Sequence, residues 1–229
     1  MYQYKTLSNG IKVVAEKIDY LKSISIGVWV GNGSRYENKE VNGISHFIEH
    51  MLFKGTKNRS AAQIAHEIDS VGGQLDAFTS REYTCFYTKT LDSHIQIALE
   101  ILSDMLYNPS LSPDDMALER QVIKEEIRMY EDSPEDLVYD LSSYAAWGDT
   151  PMGRTILGTY ESLDGITPDI MRNYMNNHYT SANTIISVSG NFDDTFFELL
   201  EKYFGTKKML DTKPYLPDAP YISKNNIVK

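Results

Sequence analysis

Between Ser23 and Val30 the chain alternates, Ser-Ile-Ser-Ile-Gly-Val-Trp-Val, which is the period of a strand with one buried face. Shorter apolar runs over Tyr4–Leu7 and Ile11–Ile18 flank Asn9-Gly10. That dipeptide favours tight hairpin turns and predicts a strand-turn-strand opening. Two more strands are expected over Gln74–Thr79 and Tyr83–Thr90, and a last one over Thr184–Ser189 before a Gly190-Asn191 turn. Helical spacing governs most of the rest. A short helix is predicted from about Ile44 to Phe53, stopped at Lys54-Gly55; Ser60 caps a second, about Ala61–Val71, ended by Gly72-Gly73. Asp92 or Ser93 is expected to cap a helix reaching Tyr107, broken by Asn108-Pro109. Proline at the first helical position marks three further starts, at Ser112-Pro113, Ser133-Pro134 and Thr167-Pro168, with ends near Tyr130, Trp147 and His178. Gly31–Asn42 reads as a polar loop, Gly148–Thr167 as a glycine-rich loop with one short helix, and Asp193–Phe204 as a final helix.

Strands and helices come in mixed segments, without strict strand-helix alternation. The expected fold is α+β: a mixed, largely antiparallel sheet with helices packed against it. Regular patterning ends near residue 206, so residues 1–206 are expected to form the folded domain. Residues 207–229, with Pro214, Pro217 and Pro220, read as a linker whose last residues, Asn226–Lys229, resemble the start of another strand.

Charge narrows the function. With 22 Lys+Arg against 32 Asp+Glu the net charge is −10, which argues against non-specific nucleic-acid binding. Cys85 is the only cysteine, so no internal disulfide forms and a reducing compartment suits the chain. There is no basic-then-apolar leader and no membrane-spanning apolar run, so a cytoplasmic protein without membrane association is the expectation.

The chemistry lies in the first predicted helix, His46-Phe47-Ile48-Glu49-His50. Histidines four apart share one helical face, and both imidazoles can reach one zinc ion at about 2.0–2.1 Å. Glu49, at the edge of that face, is placed to reach a water instead of the metal. The H-x-x-E-H order is the inverzincin signature of metallopeptidases. Catalytic zinc takes three protein ligands and keeps one position open. His66, His94 and His178 each stand alone, so the third ligand is sought among carboxylates. In the helix after Pro113, at about 100° per residue, Met116, Ile127 and Tyr130 fall within about 40° of Ile123 and define its buried face. Glu119 and Glu126 lie beside that face, at about −40° and −60°. Glu125 points to the solvent side. A buried carboxylate needs a partner, and a metal or an ion pair would supply it to either glutamate.

The H-x-x-E-H helix, the Gly72-Gly73…Asp76-Ala77-Phe78-Thr79 segment and the Glu119…Glu126 helix occur in that order. Together they resemble the pitrilysin family, which includes insulin-degrading enzyme and mitochondrial processing peptidase, and most of all its bacterial processing-peptidase-like members. The resemblance implies one zinc ion held by His46, His50 and Glu126, with Glu49 as general base and Glu119 supporting catalysis. It implies a metalloendopeptidase that hydrolyses peptides or unfolded protein segments. Asp76, Ala77 and Phe78 match a substrate-bordering strand; Asp76 stands where many members have asparagine, which keeps an acceptor but loses the amide donors. Members consist of two homologous halves closing around a chamber. This sequence corresponds to the N-terminal half, so a C-terminal half or partner subunit is expected, with a homodimer as a further option, and activity alone is expected to be weak or nil. The alternative is a non-catalytic binding or structural subunit of a processing-peptidase-like complex, but such relatives typically lack the complete motif present here.

Overall fold

Six strands form one sheet in the order β1-β2-β6-β3-β5-β4: β1 Tyr2–Thr6, β2 Lys12–Lys17, β3 Ser23–Val30, β4 Gln74–Thr79, β5 Thr84–Leu91 and β6 Thr184–Gly190. The computed structural model describes residues 2–221; the strand start expected at Asn226–Lys229 lies outside them. β2 and β6 run parallel and every other neighbouring pair is antiparallel, so the mixed, largely antiparallel α+β sheet read from the sequence is the one that forms. Side-chain alternation sets its faces. Ile24, Ile26, Val28 and Val30 are buried in the common core with Phe47, Phe86 and Leu99. Ser25, Tyr87 and Ile185 project from the other face and are exposed. β6 arrives last in the chain yet lies between β2 and β3, so residues 184–190 join the two parts of the sheet and remove two otherwise open edges.

The helices are α1 Ile44–Leu52, α2 Ala61–Ser70, α3 Ile95–Tyr107, α4 Pro113–Asp132, α5 Pro134–Trp147, α6 Tyr160–Gly165, α7 Pro168–His178 and α8 Phe196–Leu200. None of the described helices is long and apolar enough to cross a membrane. α1 contacts both α4 and β4, which brings the histidine motif, the paired glutamates and the edge strand of the sheet to one place.

Several sequence expectations shift. Asp92 and Ser93 do not cap α3: Asp92–His94 form a 3-10 turn, and His94 takes the cap position without a side-chain bond. The Asp92 carboxylate is engaged by the Asn191 amide instead. The final helix is shorter than expected, because Asp193 accepts hydrogen bonds from Thr195 in a local turn. Helix α8 therefore starts at Phe196, and it widens into a π-helical turn over Glu201–Gly205. Tyr130 is 39% exposed, because burial along α4 stops at Ile127 and its last turn meets solvent beside α5. Gly31–Asn42 is polar as expected, but much of it faces inward: Asn32, Ser34, Glu37 and Asn42 are buried, while Asn38, Lys39 and Glu40 are exposed. No helix or strand occurs over residues 206–221. That stretch runs along the domain, with Leu210 accepting from the Ser181 N–H at 2.9 Å and the Tyr221 ring 6.4 Å from that of Trp147.

Candidate metal centre

Helix α1 is fixed from its N-terminal end. Gly43 precedes it at φ +93°, where a Cβ would lie 2.6 Å from the Leu157 carbonyl oxygen, so only glycine suits the turn. Gly43 offers no side chain to the helix's first N–H groups. Glu37, wholly buried, does so from the preceding loop. Its carboxylate accepts from the Gly43 N–H at 2.7 Å, the Ser45 N–H at 2.8 Å and the Asn42 amide at 3.0 Å. Burial pushes its pKa up and these donors pull against that shift. A carboxylate beside a helix N-terminus also meets the favourable end of the helix dipole. Ile44, Phe47, Ile48 and Met51 then bury one side of α1 completely.

The other side carries His46 and His50, whose ring centres are 4.6 Å apart. The Nε2 atoms of both face Glu126 Oε2 at 3.7 Å, beyond hydrogen-bonding reach. One ligand atom from each of the three residues falls within 4.8 Å of the others. Two donors bound tetrahedrally to zinc at about 2.0–2.1 Å stand about 3.4 Å apart, so the cluster has the spacing and the N,N,O donor set of such a site. Electrostatics agree. Burial, then the neighbouring His50, pushes the His46 pKa down to about 3, leaving a neutral imidazole with a free lone pair. Burial raises the Glu126 pKa while His50 opposes the rise; a cation placed between them would favour the carboxylate. Among the described residues the His46 Nδ1 has no hydrogen-bond partner.

Two further glutamates border the cluster. Glu49 accepts a hydrogen bond from the Thr79 hydroxyl of β4, and burial raises its pKa with that bond opposing. Glu119, 6% exposed, sits behind His50: its Oε2 is 3.1 Å from His50 Nδ1 and its Oε1 is 2.6 Å from Lys54 Nζ. A proton on Nδ1 satisfies that contact and leaves the Nε2 lone pair directed at the cluster.

A profile described as Insulinase (Peptidase family M16) matches residues 12–160, a span containing all five of these residues. The chain belongs to this family. A second profile, described as the Peptidase M16 inactive domain, matches residues 165–228, the part that supplies β6 to the sheet. The chain is 47% identical over 206 residues to the "Uncharacterized zinc protease YmxG" of Bacillus subtilis (strain 168), covering 90% of this chain and 50% of that protein. It is 40% identical over 185 residues to the "Probable mitochondrial-processing peptidase subunit beta, mitochondrial" of Arabidopsis thaliana, covering 81% of this chain and 35% of that one. A solved structure of a protease from Helicobacter pylori superposes with a TM-score of 0.87 at 29% identity, over 96% of this chain and 54% of the other. The periplasmic protease PqqL of Escherichia coli shares the fold, with a TM-score of 0.86 at 20% identity, over 98% of this chain and 26% of that one. The chain thus spans about half the length of the first curated relative, and the pitrilysin resemblance seen in its motifs is borne out.

Within this M16 fold, His46, His50 and Glu126 converge, Glu119 touches His50, and Glu49 reaches the strand that borders them. Asp76, Ala77 and Phe78 lie on that strand, β4, at one edge of the sheet. Asp76 accepts from the Tyr87 hydroxyl at 3.1 Å and from the Ala77 N–H at 2.8 Å, and Phe78 packs edge-on against Trp29 at 5.8 Å. His178 is elsewhere, stacked on Tyr174 at 3.8 Å. Sequence reasoning missed Glu37, Lys54 and Thr79. A buried acid in a polar loop gave no period to follow. Lys54 and Thr79 sit in or beside the motifs, but nothing in the sequence shows their partners.

Proposed function

We propose that this chain is the zinc-carrying half of a two-half metalloendopeptidase acting on peptides or unfolded protein segments. The observation that carries the reading is the convergence of two imidazoles and one carboxylate beside a separate, hydrogen-bonded Glu49. His46, His50 and Glu126 would hold the ion. Zinc, when bound, supplies Lewis acidity that polarises a scissile carbonyl and makes water a nucleophile near neutral pH. Glu49 takes the proton of the attacking water and returns it to the leaving amine; burial lifts its affinity for that proton toward the range a general base needs. Glu119 orients His50 through Nδ1. The free edge of β4 accepts an extended peptide as an added strand, with Asp76, Ala77 and Phe78 beside it. Names of relatives such as zinc protease and processing peptidase support this kind of activity, and their double length supports the need for a second half that covers the open site.

The test is Glu49→Gln in the protein assembled with its second half, assayed on a quenched fluorescent peptide. Zinc content should stay at wild-type level while cleavage falls at least about 100-fold. Turnover near the wild-type rate would remove Glu49 from this role, and wild-type protein that binds zinc but never cleaves would favour the non-catalytic subunit.

A further inference from the structure

Lys54 stands two residues past the end of the histidine helix and is fixed there. Its N–H bonds to the Met51 carbonyl at 3.1 Å. The following Gly55, at φ +118°, pairs with Ser60, and its carbonyl accepts from the Ser110 N–H at 3.0 Å, so the turn is tied to the approach of α4. Just beyond, Arg59 bridges Glu67, Glu100 and the buried Asp104 at 3.0, 2.6 and 2.9 Å, and Thr56 donates to Asp104 at 2.7 Å. The turn is therefore braced on both sides, and its lysine projects back to the inner glutamate of α4.

The contacts form a line: Lys54 Nζ to Glu119 Oε1 at 2.6 Å, then Glu119 Oε2 to His50 Nδ1 at 3.1 Å, then His50 Nε2 facing Glu126. The Glu119 side chain is 8% exposed, whereas Lys54 keeps 36% of its side chain in solvent. The lysine is thus an amphipathic arm whose ammonium reaches inward to a carboxylate that has left water, and a buried carboxylate needs such a partner. Held in place by Lys54, the Glu119 carboxylate fixes the His50 ring through Nδ1 and keeps Nε2 directed at the cluster.

We infer that Lys54 is a positioning residue for the metal centre, setting zinc affinity through Glu119 and His50 without touching the ion. The inference rests on His46, His50 and Glu126 being the ligands. Removing groups that orient a metal ligand typically costs about 10–100-fold in metal affinity.

The experiment measures Zn²⁺ affinity of the 229-residue chain by competition with a chromophoric chelator, alongside the melting temperature of the metal-free protein. Lys54→Met should weaken zinc binding about 10–100-fold, and Lys54→Arg should stay within about threefold of wild type because a cation still reaches Glu119. In a Glu119→Gln background, Lys54→Met should add no further loss. Unchanged zinc affinity in Lys54→Met, or an equal loss with and without Glu119, would overturn the inference; so would a lowered metal-free melting temperature with unchanged affinity, the signature of an ordinary stabilising ion pair. Should Lys54→Met fail to fold, Lys54→Gln carries the same comparison. His46→Ala is the separate control: if it leaves zinc binding intact, the ligand set itself is wrong.

Discussion

The hydroxyl of Thr79 donates to Oε2 of Glu49, across 30 residues of sequence. It joins the edge strand of the sheet to the metal-motif helix at the residue proposed as general base. Thr79 is itself backed by Thr84, 3.5 Å away, whose own hydroxyl donates to the Asn32 carbonyl at 3.0 Å. One carboxylate oxygen is thereby held, and in the proposed mechanism the other would take the proton of water. Thr79→Val preserves shape and removes the donor. In the proposed two-half enzyme it should lower kcat by about 10–100-fold with little change in KM, since a base held loosely loses orientation and not substrate contact. Thr79→Ser should recover most of the rate. Steady-state kinetics on one peptide decides it; a rise in KM with kcat intact would make Thr79 a substrate contact instead.

The histidine helix depends on Glu37 for the start of its backbone. The carboxylate satisfies two main-chain N–H groups and the Asn42 amide in a fully buried place. Glu37→Ala strands all three, and each buried unsatisfied donor costs about 1–3 kcal/mol. A loss of at least about 2 kcal/mol in urea unfolding is expected. A change below about 0.5 kcal/mol would mean that water replaces the carboxylate at no cost.

The parts of this design differ in how visible they are in the sequence. The strand at Ser23–Val30 and the histidine pair announce themselves by period. Helical phase separates Glu119 and Glu126 from Glu125, because about 100° per residue is a local rule. It cannot rank the first two, which differ only in which side of His50 they meet, and that depends on how α4 crosses α1. Glu37, Lys54 and Thr79 act at a distance through single hydrogen bonds or ion pairs, and no periodicity encodes such a bond. Tyr130 shows the reverse limit: phase puts it on the buried face, but burial requires something to pack against, and α4 outruns its cover at Ile127. The parallel β2–β6 pairing was equally silent, since it joins segments from opposite ends of the domain.

Acid should release the brace that holds the turn carrying Lys54. Burial acts to raise the pKa of Asp104, but bonds from Thr56, Asn108, Asn58 and Arg59 outweigh it, and the folded pKa lies below the ordinary 3.8. A carboxylate with a depressed folded pKa stabilises the fold above its unfolded pKa, and the contribution fades as pH falls through the folded value. Asp104→Asn should therefore cost about 2 kcal/mol or more between pH 5 and 7, where the bonds are charge-assisted. The gap from wild type should narrow below about pH 4. Urea titrations of both proteins across that range give the answer, and a gap that stays constant to pH 3 would show that shape, not charge, is what Asp104 contributes.

Metal addition tests the centre as a whole, without requiring the second half. In the cluster two imidazoles 4.6 Å apart face a carboxylate oxygen 3.7 Å from each, too distant for a hydrogen bond to either one, and the His46 Nδ1 lacks a partner among the described residues. An ion that binds the folded state at about 100 times its Kd adds about 2.7 kcal/mol. For a domain of this size that corresponds to a rise of about 5–11 °C in melting temperature. Excess zinc should produce this shift in the wild-type chain, a chelator should reverse it, and His46→Ala, His50→Ala or Glu126→Gln should each abolish most of it. Glu125→Gln, on the solvent side of the same helix, should shift as wild type does. If Glu125→Gln lost the response and Glu126→Gln kept it, the third ligand would be the wrong one of two neighbours, and the helical-phase argument that separates them would fail with it.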